Sequence, residues 1–102
     1  LEKILQGAAA RQLPVLLIGL AAPGNYGPAY KTEFDALFPE LATRYGAAMN
    51  PNFFAAIGGS AEAAIELGFM QADGIHPNRK GVMAIIETIG PEVQKLIATA
   101  AK

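Results

Sequence analysis

The sequence predicts an α/β fold with a parallel sheet, and two observations indicate it. Segments of helical periodicity alternate with short apolar segments along the 102 residues, which is the order that right-handed crossovers onto a parallel sheet produce. The run of residues 15–20 is continuously apolar between Pro14 and a turn-rich segment, as is typical of a strand buried on both faces. At this length the chain forms one domain at most.

The first half of the chain predicts a helix, a strand and a second helix. Residues 1–11 carry apolar side chains at helical spacing. The turn formers of residues 21–28 follow the strand, where ligands bind in open α/β sheets, although an ordinary connecting loop is an equal alternative. The next helix covers about residues 28–45 and ends at Gly46. Its apolar stripe is interpreted as core rather than as binding site: Tyr30, Phe34, Leu37, Phe38, Leu41 and Tyr45.

The middle of the chain predicts a second strand and a short helix. The strand falls within residues 47–54, and Pro51 shortens it because proline cannot donate to a sheet. Ser60 stands in the context of a helix N-cap, before one or two helical turns over residues 61–66.

The last segment predicts a long helix that begins after Asn78 and keeps one apolar face to residue 100. Pro91 lacks an N–H, so the helix is expected to kink or restart there. Two strands cannot supply a neighbour on each side of residues 15–20. We therefore expect an unpaired strand edge that another segment must fill.

Composition excludes several classes of function. The formal net charge is -1 and 17% of the residues are charged, so there is no basic field for nucleic acid and no polybasic anchor for a membrane. No apolar run reaches the roughly 18 residues that span a bilayer, and no signal-peptide pattern is present. The lack of cysteine excludes disulfides and thiolate catalysis. The chain opens in helical periodicity without Met, which we interpret as a cut through a helix.

One bend carries the candidate chemistry. His76 is the only histidine, and Asp73 stands three residues before it. Gly74 permits a tight bend, while Pro77 restricts His76 to an extended conformation. The carboxylate is expected to reach one imidazole nitrogen, fix the tautomer and leave the other nitrogen as a base. The pattern predicts two members of a catalytic triad without their nucleophile.

Several alternatives remain open. Asp73 and His76 are equally well interpreted as a loop pair in a non-catalytic binding or interaction module. Glu62 and Glu66 could join Asp73 in glycosidase chemistry, but nothing fixes their separation. One histidine without cysteine leaves too few ligands for a metal site. Ser60, the only serine, lacks the Gly-x-Ser-x-Gly context of a nucleophile and is interpreted as a cap.

Three stretches carry a resemblance to a known family. Residues 70–78 (MQADGIHPN) resemble the last conserved block of the GDSL, or SGNH, hydrolases. Residues 22–27 (APGNYG) and the pattern over residues 30–42 are similar to the thioesterase I, lysophospholipase L1 and arylesterase branch. The similarity covers nearly the whole chain, and the motifs occur in family order.

The resemblance implies the C-terminal half of a three-layer α/β/α, flavodoxin-like serine esterase. Asp73 and His76 match the triad acid and base of the family. The Gly-Asp-Ser block with the nucleophile does not occur here, nor do the blocks that supply the oxyanion-hole Gly and Asn. Activity is therefore expected only together with an N-terminal half, in a nicked or split molecule or a swapped homo-oligomer.

The resemblance also implies the type of substrate. Acyl esters are expected, with thioesters, lysophospholipids and acetylated carbohydrates as alternatives, and no metal or cofactor is required. The loop after the first strand would border the acyl pocket through Ala22, Pro23, Gly24, Asn25 and Tyr26. Many members of this branch are exported, but the compartment stays open.

Overall fold

The computed structural model describes residues 1–22 and 24–101. Within these residues four helices form: α1 (Glu2–Ala10), α2 (Pro28–Tyr45), α3 (Ala61–Glu66) and α4 (Arg79–Ala100). Two strands form, β1 (Leu16–Ile18) and β2 (Ala48–Asn50), and two short 3-10 turns lie at Gly24–Tyr26 and Ala55–Ile57. The predicted order of helices and strands is confirmed, and each strand is shorter than the apolar run that predicted it.

The two strands pair in parallel, with Leu17 opposite Met49. Beyond the pair, Gly19 N–H donates to the carbonyl of Asn50 at 2.8 Å, and β2 ends at Asn50, directly before Pro51, which the sequence predicts to shorten the strand. Helix α2 connects the strands and packs on both, and α4 packs on β1 and on the turn Ala55–Ile57. The chain thus forms part of an α/β fold built on a parallel sheet.

Caps fix the ends of the helices where the sequence predicts them. Helix α2 ends at Gly46, whose φ of 64° lies in the left-handed region. Ser60 Oγ accepts a hydrogen bond from Ala63 N–H at 3.1 Å at the start of α3, and Asn78 Oδ1 accepts one from Gly81 N–H at 2.9 Å at the start of α4.

A small core joins α3 and α4. Ile57 and Ala64 are completely buried and pack with Ile85 of α4. Partly buried side chains surround them: Phe53, Phe54, Phe69, Met70, Ala84 and Ile89. Phe69 and Met70 directly precede the bend at residues 71–77. This core therefore packs against the segment that leads into the candidate site.

The prediction that the stripe on α2 is core is wrong for much of the helix. Leu41 is buried, but Tyr30 and Leu37 are each 45% exposed. Phe34 and Phe38 are half-buried, and their rings contact each other at a centroid distance of 5.6 Å. A helix of 18 residues is about 27 Å long, so two strands of three residues each cannot cover its apolar face.

The prediction that β1 is buried on both faces is also wrong in this chain. Leu17 is 8% exposed, whereas Ile18, which points to the opposite face, is 37% exposed. Strand β1 has β2 on one side only among the described residues, so the expected unpaired edge is confirmed.

Helix α4 runs without a break through Gly90 and Pro91, so the alternative of a restart there is wrong. Proline removes one backbone hydrogen bond, the one to the carbonyl of Glu87. The helical turn at Pro91 is bonded to the end of β2, because Nδ2 of the buried Asn50 donates to Glu92 Oε1 at 2.8 Å. Among the described residues, no helix has both the length and the apolar character to cross a membrane.

Candidate active site

The candidate site is a closed bend between the core and α4. Met70 and Pro77 form an antiparallel bridge across its base. Gln71 N–H donates to the carbonyl of His76 at 2.8 Å, and Gly74 N–H donates to the carbonyl of Gln71 at 3.0 Å. Gly74 has a φ of 67°, a conformation that a residue with a side chain rarely adopts. The chain therefore reverses between Asp73 and His76.

The two oxygens of Asp73 serve different partners. Oδ1 accepts hydrogen bonds from the backbone N–H groups of Ile75 at 2.9 Å and His76 at 3.0 Å. Oδ2 lies 2.6 Å from Nδ1 of the His76 ring. An ionised carboxylate only accepts hydrogen bonds, so Nδ1 carries the proton and Nε2 keeps its lone pair in the neutral ring. The contact expected from the sequence is present, and this arrangement can accept a proton at Nε2.

The electrostatics of the bend favour a charged Asp73. Its pKa is lowered from 3.8 to about 2, first by the hydrogen bond with His76 and then by those from the backbone of Ile75 and His76. The Asp73 side chain is 41% exposed and the His76 side chain 67% exposed. The pair is held by hydrogen bonds rather than by burial, and the imidazole is open to an approaching group.

The loop after β1 is pinned to α2. Ala22 is buried, and its N–H donates to Asp35 Oδ1 at 2.7 Å. Lys31 Nζ donates to the carbonyl of Ala22 at 3.1 Å and to Asp35 Oδ2 at 2.8 Å. Lys31 and the Ala22 N–H lower the pKa of Asp35. Neither Lys31 nor Asp35 was identified from the sequence, although their i, i+4 spacing on a helix is typical of an ion pair.

Two further residues of the predicted substrate loop, Asn25 and Tyr26, lie at the surface. Gly24, Asn25 and Tyr26 form a 3-10 turn, in which Asn25 and Tyr26 are exposed, and Pro23 lies outside the described residues. Ala22 and Lys31 line an open cleft of about 520 Å³ together with the chain after β2. No hydrogen bond among the described residues joins this loop to the Asp73–His76 bend. Its role in substrate binding stays a prediction.

The single serine of the chain serves as a helix cap. Ser60 Oγ is engaged as the cap of α3. No group of three His, Asp or Glu side chains comes close enough to hold a metal ion in the part of the chain that the structure describes.

Comparisons with known proteins give a consistent group of relatives. The chain is 34% identical over 97 residues to the esterase TesA of Pseudomonas aeruginosa, covering 95% of this chain and 45% of that protein. It is 33% identical over 97 residues to thioesterase 1/protease 1/lysophospholipase L1 of Escherichia coli, covering 95% of this chain and 44% of that protein. No protein-family model matches the chain.

Solved structures agree with these relatives. The crystal structure of TesA superposes with a TM-score of 0.73 at 34% identity, covering 93% of this chain and 49% of that one. AlinE4, an SGNH-hydrolase family esterase, superposes with a TM-score of 0.62 at 34% identity, covering 92% and 47%. In sequence and in fold the chain is therefore a homologue of the SGNH hydrolases, and it spans about half the length of the relatives that it matches.

Proposed function

We propose that this chain supplies the acid and the base of a serine ester hydrolase. Asp73 orients the ring of His76, and Nε2 of His76 takes the proton from the nucleophile. The observation that carries the proposal is the 2.6 Å contact between Asp73 Oδ2 and His76 Nδ1, on an imidazole that is 67% exposed. The named activities of the relatives, esterase and thioesterase, support ester or thioester hydrolysis.

The proposed reaction has two halves, acylation of the serine and hydrolysis of the acyl-serine ester. Nε2 removes the proton of a serine hydroxyl while the serine oxygen bonds to the acyl carbon, and the same proton then passes to the departing alcohol or thiol. In the second half, Nε2 takes a proton from water while the water oxygen bonds to the acyl carbon. The bond between the acyl carbon and the serine oxygen then breaks, the proton passes from Nε2 to the serine oxygen, and the carboxylic acid leaves. Asp73 remains ionised and stabilises the imidazolium in both halves.

The nucleophile comes from polypeptide outside these 102 residues. Ser60 is the only serine of the chain, and its Oγ already accepts the capping hydrogen bond from Ala63 N–H. The unpaired edge of β1 offers a place for another strand of the same domain. We therefore regard residues 1–102 as one part of a single hydrolase domain, whose other part carries the serine and the oxyanion donors.

The substrate of the proposed enzyme is a small acyl ester or thioester. Ala22, Gly24, Asn25 and Tyr26, together with Pro23, would border the acyl group, because they follow the carboxyl end of β1, where ligands bind in such sheets. The buried Ala22, held between Asp35 and Lys31, gives this loop a fixed base. A rigid loop places a substrate more accurately than a loose one.

Hydrolysis of p-nitrophenyl esters by the protein as isolated tests the proposal. His76→Ala removes the base and should lower kcat at least about 100-fold, since general-base catalysis contributes roughly 10² to 10⁴. Asp73→Asn should lower kcat comparably, because an amide can hold the wrong tautomer.

Ser60→Ala is the matched control. It removes a helix cap at a cost of about 1 kcal/mol and should leave kcat nearly unchanged. Equal rates for the wild type and His76→Ala would instead favour a non-catalytic module. Loss of activity in Ser60→Ala at full folding would contradict the assignment of the nucleophile to another segment.

A further inference from the structure

We infer that Asn78 is a positioning residue for His76, which fixes the bend from both sides through its side-chain amide. The inference rests on the proposed function, since it names the residue that holds the proposed base in place. Asn78 lies two residues after His76 and begins α4.

Asn78 connects the segment before the bend to the helix after it. Nδ2 donates to the carbonyl of Gly68 at 2.9 Å and to that of Met70 at 3.2 Å. The backbone N–H of Asn78 donates to the carbonyl of Phe69 at 2.8 Å. Oδ1 accepts from Gly81 N–H at 2.9 Å. One side chain therefore bonds residues ten positions before it and three positions after it.

A helix cap requires only part of this arrangement. Capping uses the acceptor Oδ1, and serine, threonine or aspartate would serve equally well. The two donors of Nδ2 contribute nothing to the cap, and they reach the chain that leads into the bend. An amide is the shortest neutral side chain that offers one acceptor and two donors together. The structure uses all three.

The packing of α4 keeps this connection rigid. A methyl group at Gly81 would overlap the carbonyl oxygen of Phe69 and would lie 3.2 Å from Cβ of Pro77. The first turn of α4 thus rests directly on the backbone before the bend. Because the ring of His76 is 67% exposed, little side-chain packing holds it, and its position depends on the hydrogen bonds of the bend.

Asn78→Ser tests the inference because it keeps a good cap and removes both donors. We expect thermal stability close to that of the wild type, a pKa of Asp73 that rises from about 2 toward 3.8, and kcat at least tenfold lower at unchanged KM. Ser60→Ala, which removes the cap of α3, is the control and should lower thermal stability without moving the pKa of Asp73.

A second variant covers the case in which Asn78→Ser does not fold. Asn78→Asp supplies a charged cap acceptor in place of the neutral amide and also lacks both donors. It is judged by hydrogen exchange of the Gln71 amide, which bonds the carbonyl of His76. We expect exchange at least tenfold faster. A wild-type pKa of Asp73 in Asn78→Ser, or wild-type exchange in Asn78→Asp, would reduce Asn78 to a cap.

The pKa and exchange readouts do not depend on ester hydrolysis. If His76→Ala leaves hydrolysis unchanged while the pKa of Asp73 rises in Asn78→Ser, the proposed function fails and the structural role of Asn78 stands. The reverse result, loss of hydrolysis in His76→Ala with no effect of Asn78→Ser on pKa or kcat, overturns the inference alone.

Discussion

Asp73 and His76 form an ordered pair at an exposed position, where an ordinary ion pair would contribute little. The geometry of the pair is fixed because the two oxygens of Asp73 bind different partners. Oδ1 is fixed by two backbone N–H groups, so the carboxylate cannot rotate freely, and Oδ2 is left facing Nδ1 of His76. The orientation of the imidazole is thus a property of the backbone of the bend.

The titration of Asp73 is expected to report the hydrogen bonds that its carboxylate accepts. Its pKa is lowered in the folded protein to about 2, so the stability it contributes is complete above its ordinary value of 3.8. That contribution is lost as the pH falls from 3.8 toward about 2. NMR of the Asp73 carboxyl carbon measures the pKa directly.

His76→Ala supplies the internal comparison for this titration. It removes the first cause of the lowered pKa and leaves the two backbone donors, so the pKa of Asp73 should rise but stay below 3.8. A wild-type pKa at or above 3.8, or one that does not respond to His76→Ala, would show that the contact does not persist in solution.

The spacing of residues 73–78 was sufficient to predict the Asp73–His76 contact, because every group involved lies within three positions and Gly74 permits the bend. The support around it was not predictable in the same way. Asp35 bonds Ala22 across 13 positions, and Asn78 bonds Gly68 across ten. Such contacts depend on how elements pack, which periodicity does not report.

At the scale of elements, the N-terminus of α4 decides where the bend lies. Gly81 in the first turn lies so close to the carbonyl of Phe69 that a side chain there would overlap it, and Asn78 N–H donates to the same carbonyl. The opposite end of the helix is held separately, since Glu92 accepts from Asn50 at the end of β2. Helix α4 therefore connects the sheet to the candidate site.

Gly81 and Gly90 allow a test of the close approach between α4 and the segment before the bend. Gly81→Ala should destabilise the protein by roughly 1–3 kcal/mol, because the added methyl group overlaps the carbonyl of Phe69. Gly90→Ala should stabilise it by about 0.5–1 kcal/mol, since a methyl group there meets only Ile86 Cγ2 at 3.7 Å and alanine favours the helix. Urea denaturation measures both, and equal effects of the two substitutions would contradict the close approach of α4.

Element order and the bounds of the helices were predictable from the sequence, and the lengths of the strands and the burial of the elements were not. The alternation of periodicities gave the right succession of helices and strands, and Gly46, Ser60 and Asn78 marked ends that the structure has. The strands are short and α2 is half-exposed because burial depends on neighbours that pair and pack with them. An apolar run indicates how much apolar surface a segment is able to bury. The neighbouring elements determine how much of that surface is buried.

At the scale of the whole molecule, a large apolar surface is left uncovered. The radius of gyration is 15.1 Å, against about 13 Å for a compact domain of this size, and the molecule measures 41 × 33 × 17 Å. Five apolar side chains of α4 are more than one-third exposed: Val82, Met83, Ile86, Val93 and Ile97. Surfaces of this kind mark sites of contact with other polypeptide.

Hydrogen exchange at β1 tests whether another strand pairs there. Gly19 N–H bonds the carbonyl of Asn50, so by alternation the N–H of Ile18 points to the open edge. In the chain alone, the Ile18 amide should exchange much faster than that of Gly19. Assembly with a segment that carries the nucleophile should slow Ile18 at least tenfold, and an Ile18 amide that stays fast in an active assembly would rule out pairing at this edge.

Labelling with a fluorophosphonate probe tests most directly whether His76 activates a serine outside these 102 residues. The probe bonds to a serine whose hydroxyl is deprotonated by a neighbouring base. Applied to the active protein and followed by peptide mass analysis, it should label a serine other than Ser60, and the label should disappear in His76→Ala while remaining in Ser60→Ala. A label on Ser60, or undiminished labelling in His76→Ala, would contradict the assignment of His76 as the base.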